Sequence, residues 1–137
     1  MGRVLAVDPG TVRVGLAISD PLRITAQPLE VVPAAGAVAR IVALVVELEV
    51  DQVVVGLPIT EKGEEGRSAQ DARRLAADIA GQTGIAVTTI DERYTSRMAE
   101  SAMIEGGARR STRREAVDKV AAAVILRGYL DQTGAAT

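Results

Sequence analysis

Cysteine and histidine are both absent from this chain of 137 residues. Without cysteine there is no disulfide, no thiolate nucleophile and no sulfur ligand for a metal. Without histidine there is no Ser-His-Asp arrangement and no His-ligated zinc site. Tryptophan and phenylalanine are missing as well, which leaves Tyr94 and Tyr129 as the whole aromatic complement. A protein that stacks single-stranded bases on aromatic platforms needs more rings than that. Long apolar runs are also lacking: the run over residues 120–126 stops at Arg127, and Asp8 interrupts the apolar N-terminal stretch. Neither suits a membrane span or a secretory signal, so the expectation is a cytoplasmic protein with no membrane partner. The length suits one domain, residues 1–137, around one core.

What remains for chemistry is Asp, Glu, Lys, Arg, Ser, Thr, Tyr and amides. Carboxylates working with a hard divalent cation, Mg2+ or Mn2+, become the leading option. Basic residues number 16 and acidic residues 18, for a net charge of -2, so there is no general basic coat. The charge is nevertheless uneven. Arg93, Arg97, Arg109, Arg110, Arg113, Arg114 and Lys119 crowd one window, with Glu100, Glu105, Glu115 and Asp118 among them. A local basic patch in an acidic protein fits an anionic partner held at one place, and a solvated helix-and-loop surface reads the same way.

Arg3–Asp8 is a short apolar run that ends in Asp-Pro-Gly, the mark of a buried strand running into a turn. Residues 12–19 read as a second strand, joined to the first by a tight turn at Gly10. Residues 24–32 read as an edge strand, because Pro28 sits inside them. Residues 34–49 have helical spacing, and residues 53–57 are wholly apolar, as a central parallel strand would be. The polar stretch 58–66 reads as a mobile loop. Residues 68–82 form an amphipathic helix with Ala72, Leu75, Ala76 and Ile79 on one face, and Ser68 with Asp71 resembles a capping box. Residues 85–90 read as a fifth strand, 96–104 as a short helix and 106–111 as a polar loop. The longest helix is 112–132, with Val117, Val120, Ala121 and Val124 turned inward; a frayed tail follows Gly134. A meander followed by βαβ units predicts an α/β fold with one five-stranded mixed sheet and helices on both faces. Ligands in such sheets gather at the carboxyl ends of the parallel strands.

Acids stand at those ends. Asp8 closes the first strand, Asp91 and Glu92 follow the fifth, and Asp118 lies in the second turn of the last helix. An acid that ends a buried strand before Pro-Gly-Thr is poorly placed for packing and well placed to point out of the sheet. Gly10 and Gly15 give the backbone room to turn and a ligand room to approach. Clustered carboxylates repel one another, and a cation resolves the repulsion. The competing reading pairs Asp91 with Arg93 or Arg97 and Asp118 with Arg114.

Four segments carry a resemblance. They are Val7-Asp8-Pro9-Gly10-Thr11-Val12-Arg13-Val14-Gly15-Leu16-Ala17, then Val53-Val54-Val55-Gly56-Leu57-Pro58, then Asp91-Glu92-Arg93-Tyr94-Thr95-Ser96, and last residues 117–126 around Asp118 and Lys119. In this order and spacing they resemble the YqgF/RuvX family of pre-16S rRNA nucleases and Holliday junction resolvase-like proteins, over nearly the whole chain. The resemblance implies an RNase H-like fold in which Asp8, Glu92 and Asp118 meet around Mg2+ or Mn2+, with Asp91 a less certain fourth. Resolvases of the wider superfamily carry an acid at the end of the fourth strand, where this chain reads Gly56-Leu57-Pro58. The Asp91-Glu92 pair must substitute for it. Relatives often have a neutral residue where this chain has Lys119.

The resulting expectation is a metal-dependent nuclease acting on structured nucleic acid, either precursor 16S rRNA in ribosome biogenesis or four-way DNA. Thr11, Arg93, Arg97, Arg109, Arg110 and Arg113 would contact phosphates, and the loop over 58–66 would close on the substrate. The protein would be a monomer or a homodimer. Asp8-Pro9-Gly10-Thr11 with Gly15 also resembles the phosphate loop of the actin and sugar-kinase superfamily, whose members need two such domains. A non-catalytic ribosome-assembly or transcription factor with the same fold is the other alternative.

Overall fold

The computed structural model describes residues 2–59, 63, 65–91 and 110–133, with backbone alone for 110–118. Strands β1 (Arg3–Asp8), β2 (Arg13–Ser19), β3 (Ala26–Pro33), β4 (Val50–Leu57) and β5 (Ala86–Asp91) form one sheet in the order β3-β2-β1-β4-β5. Helices α1 (Ala37–Glu47), α2 (Arg67–Thr83) and α3 (Arg110–Gln132) complete the described elements. β1 runs antiparallel to β2 and parallel to β4, and β4 runs parallel to β5. The expected mixed sheet of five strands is therefore present, with β3 at its edge.

Side chains alternate across the sheet and divide the core in two. Leu5, Val7, Val14, Leu16, Val53 and Val55 pack against Ile41 and Leu44 of α1 and Ala72 and Ile79 of α2. Val4, Ala6, Ala17 and Val54 face the other way, onto Ala122, Ile125, Leu126 and Leu130 of α3. The α3 side of the sheet is thus lined by small residues, which lets the helix backbone come close while Ile125 and Leu126 fill the space. Spacing of three and four along α3 puts 122, 125, 126 and 130 on one stripe. Val120 and Val124, expected inward, are only half-buried, because this stripe is rotated away from them.

Several boundaries move for identifiable reasons. β3 begins at Ala26 and not at 24, because the Asp20 carboxylate accepts the Ile24 and Thr25 amides at 2.7 and 2.9 Å and holds them in a turn. Pro28 is accommodated at the edge beside a bulge, where the partner of Leu16 is Glu30 but that of Ala17 is Pro28. α1 starts at Ala37 because the Ala34 amide still donates to the Val12 carbonyl at 2.9 Å, and Gly36 breaks the chain at φ 86°. β4 starts at Val50, paired with Arg3. The capping box does not form: Gly66 is the N-cap of α2, without a side-chain cap, and Ser68 lies inside the helix. The last helix begins at Arg110, so Asp118 falls in its third turn and not its second. The expected helix over 96–104 lies outside the described residues. Among the described residues no helix is long and apolar enough to cross a membrane.

Candidate active site

Asp8 is the last residue of β1, at the centre of the sheet, and is half-buried. Val4 and Ala6 face α3, so the period of two puts Asp8 on the same face. Its register partner on β2 is Gly15, and one step beyond the Val7–Val55 pair it comes beside Gly56 on β4. The residues level with Asp8 on both neighbouring strands are therefore glycines. Gly56, the position that seemed only to lack an acid, is one of them.

α3 crosses the same face, anchored by Ile125, Leu126 and Leu130, and carries Asp118 toward its N-terminal end. The side chain of Asp118 and all of Glu92 lie outside the described residues. Among the described residues no three acids cluster. Asp91 is described: it is the last residue of β5 and is in register with Leu57, whose side chain belongs to the α1 and α2 layer. Asp91 thus faces away from the side that Asp8 faces.

The expected phosphate contacts divide. Arg93, Arg97 and Arg109 lie outside the described residues, and Arg110 and Arg113 are placed by backbone alone, at the start of α3. Thr11 is exposed in the β1–β2 turn and lines a cavity of ≈190 Å³ with Val14, Ala37, Ser68, Asp71 and Ala72, on the α1 and α2 side. A residue the sequence did not single out joins Asp8: Arg13 begins β2 two positions from Gly15 and so shares the Asp8 face. The signal was present in the parity between positions 13 and 15.

The segment 58–66 is pinned at its base. Ile59 and Glu65 form an antiparallel bridge, and Arg73 of α2 donates to both Glu65 oxygens at 2.6 and 2.7 Å. Those hydrogen bonds hold the Glu65 carboxyl below the usual carboxylate range.

The donor chemistry suits a hard divalent cation. Carboxylate oxygen is what Asp8 offers, and no His or Cys exists to recruit a softer metal.

A central strand ending in an acid, within a β3-β2-β1-β4-β5 sheet closed on that face by a final helix, defines the RNase H-like class. The solved structure of Thermus thermophilus RuvC in complex with a Holliday junction substrate has this fold, with a TM-score of 0.59, 19% identity and 98% of each chain covered. The family RuvX, described as Holliday junction resolvase, matches residues 2–132, and the chain belongs to that family. A relative from Dictyoglomus thermophilum is 43% identical over 134 residues, with 96% of each chain covered. Another, from Lactococcus lactis subsp. cremoris, is 40% identical over 134 residues, with 94% of each covered. Both relatives carry the name "Putative pre-16S rRNA nuclease".

Proposed function

We propose that the protein is a divalent-metal-dependent nuclease that hydrolyses phosphodiester bonds in structured nucleic acid, with precursor 16S rRNA as its substrate. The observation that carries this reading is the placement of Asp8: it ends the central strand, has glycine beside it on both neighbouring strands, and faces the layer that bears Asp118. The names of the relatives from Dictyoglomus thermophilum and Lactococcus lactis point to the RNA.

In this reading Asp8, Glu92 and Asp118 hold Mg2+ or Mn2+, which when bound supplies Lewis acidity at the phosphoryl oxygen and a lowered pKa for coordinated water. Asp8 sits on a strand hydrogen-bonded on both sides, so its carboxylate is positioned with little reorganisation. Gly15 and Gly56 place no Cβ level with Asp8 on the flanking strands. Arg93, Arg97, Arg109, Arg110 and Arg113 hold flanking phosphates without reading sequence. The description of the matched family as Holliday junction resolvase favours four-way DNA as a second substrate reading.

Cleavage of a labelled panel tests both. The panel holds precursor 16S rRNA, single-stranded RNA and a DNA four-way junction, each with Mg2+, with Mn2+ or with EDTA, and with Asp8→Asn as control. Metal-dependent cutting of the precursor, lost in Asp8→Asn, is expected. Cutting of the junction alone would transfer the assignment to DNA. Intact binding with no cutting of any substrate would replace the nuclease by an assembly factor.

A further inference from the structure

A groove of ≈520 Å³ runs between the β2–β3 edge of the sheet and α3. Val12, Arg13, Val31 and Pro33 line one side, and Lys119 lines the other. Val31 is in register with Gly15, and Gly15 with Asp8, so the groove wall lies on the same cross-strand row as Asp8. Two strand spacings separate them, about 10 Å. Lys119 directly follows Asp118 in the chain, and its side chain is half-buried at the groove.

We propose that this groove seats the phosphodiester backbone of a nucleic-acid strand leading to Asp8, with Lys119 as a phosphate contact. The proposal rests on the nuclease reading and adds a binding track and a residue to it. The charge of Lys119 favours this occupant. Among the described residues, the charged groups lining the groove are Arg13, Lys119 and Glu30. Glu30 is already neutralised, because Arg40 donates to its two oxygens at 3.0 and 2.8 Å. The apolar wall of Val12, Val31 and Pro33 suits the sugar edge of a strand, and among the described residues the lining offers no ring for base stacking. Recognition here is therefore of backbone, and it positions without specifying. A protein strand added to the outer edge of β3 is the competing occupant, but Pro28 and the adjacent bulge make that edge a poor template.

The test uses binding, not cleavage. A fluorescein-labelled RNA stem-loop and a labelled DNA four-way junction are titrated with the full chain in EDTA, between 50 and 200 mM salt. Each lost phosphate contact lowers the slope of log affinity against log salt by about 0.7 to 0.9. Lys119→Ala should show that drop, losing about threefold less affinity than the parent protein across this salt range. Lys119→Arg should restore the slope, and Val31→Glu, which puts a carboxylate in the groove, should weaken binding at every salt concentration. Thermal melting confirms that each variant is folded. Parent-like slopes and affinities in both Lys119→Ala and Val31→Glu would overturn the proposal and leave the groove to a protein segment. Failure of the parent protein to bind either nucleic acid would instead bring down the nuclease reading, and this proposal with it.

Discussion

Replacing Gly10 by alanine tests how the β1–β2 turn sets the proposed Asp8 site. A methyl built on Gly10 collides with the carbonyl oxygen of Arg13, and it also meets the Arg13 carbonyl carbon at 3.5 Å. The obstacle is backbone, so no rotamer change relieves it. Ordinary contact for such a carbon begins at 3.4 Å, which requires the turn to open by about an ångström. Overpacking of this kind costs about 1–3 kcal/mol, or roughly 3–12 °C in Tm for a chain of this size. Asp8 ends one strand of the hairpin and Arg13 begins the other, so the opening moves the carboxylate relative to its surroundings. A displacement near 1 Å at the chemistry is worth about 10²-fold in rate. Urea unfolding and metal-dependent cleavage, both at a temperature where the variant is folded, measure the two effects. Gly81→Ala is the control: it lies in α2 with open space around its Cα, so the same methyl should stabilise by about 0.5–1 kcal/mol and leave cleavage unchanged. A Gly10→Ala protein as stable as the parent, cleaving at the parent rate, would refute the link between turn and site.

Ser19 is 2% exposed, and its hydroxyl accepts the Val4 amide at 2.8 Å while donating to the Asp20 carbonyl at 3.0 Å. Ser19→Ala strands that amide and should cost about 1–3 kcal/mol in denaturant unfolding, with faster hydrogen exchange at Val4; unchanged exchange would contradict the account. Leu126→Ala opens a cavity between α3 and the sheet and should cost about 2–5 kcal/mol. Because α3 carries Asp118, cleavage should fall as well, even well below the melting temperature, and full activity there would show that the site does not depend on this packing. Acid lowers stability in a defined window. The Thr25 amide, followed by that of Ile24, holds the Asp20 carboxyl below its ordinary 3.8, while Arg40 and Arg73 hold Glu30 and Glu65 below 4.5. Stability from depressed carboxyls is complete above those ordinary values and is lost as pH falls through the lower folded-state values. Melting curves for Glu30→Gln and Glu65→Gln should therefore converge on the parent at the acid end of the window, and a constant gap down to that end would contradict the pairing.

How legible the protein was depends on the scale of the interactions involved. Apolar runs such as Arg3–Asp8 declare themselves, because a strand buried on both faces has no polar position to spare. The ends of elements were harder to read. Residues 24 and 25 are held by a carboxylate several positions away, and Ala34 remains tied to Val12 on the next strand, so propensity placed them in the wrong element. Ser68 and Asp71 have the spacing of a capping box, but the chain enters α2 at Gly66, before Ser68 can cap it. On the last helix, several adjacent apolar residues allow more than one stripe, and the small side chains of Ala6 and Ala17 select the one containing Ile125 and Leu126.

The site divides in the same way. Residue identity alone made oxygen-ligand chemistry the leading option, since the sequence contains no His or Cys, and it marked Asp8 by the Asp-Pro-Gly-Thr that follows. Four ordered segments also named the family, because a catalytic framework constrains residue type at points far apart in the chain. Only the tertiary structure decided which face each group occupies. Register puts Asp91 beside Leu57 and so opposite the Asp8 face, sets Gly56 level with Asp8, and brings Arg13 and Lys119 to one groove. The physical reason is that a strand's side chains change face at every residue, so a shift of one position reverses the assignment, and that shift is set by pairing between distant segments.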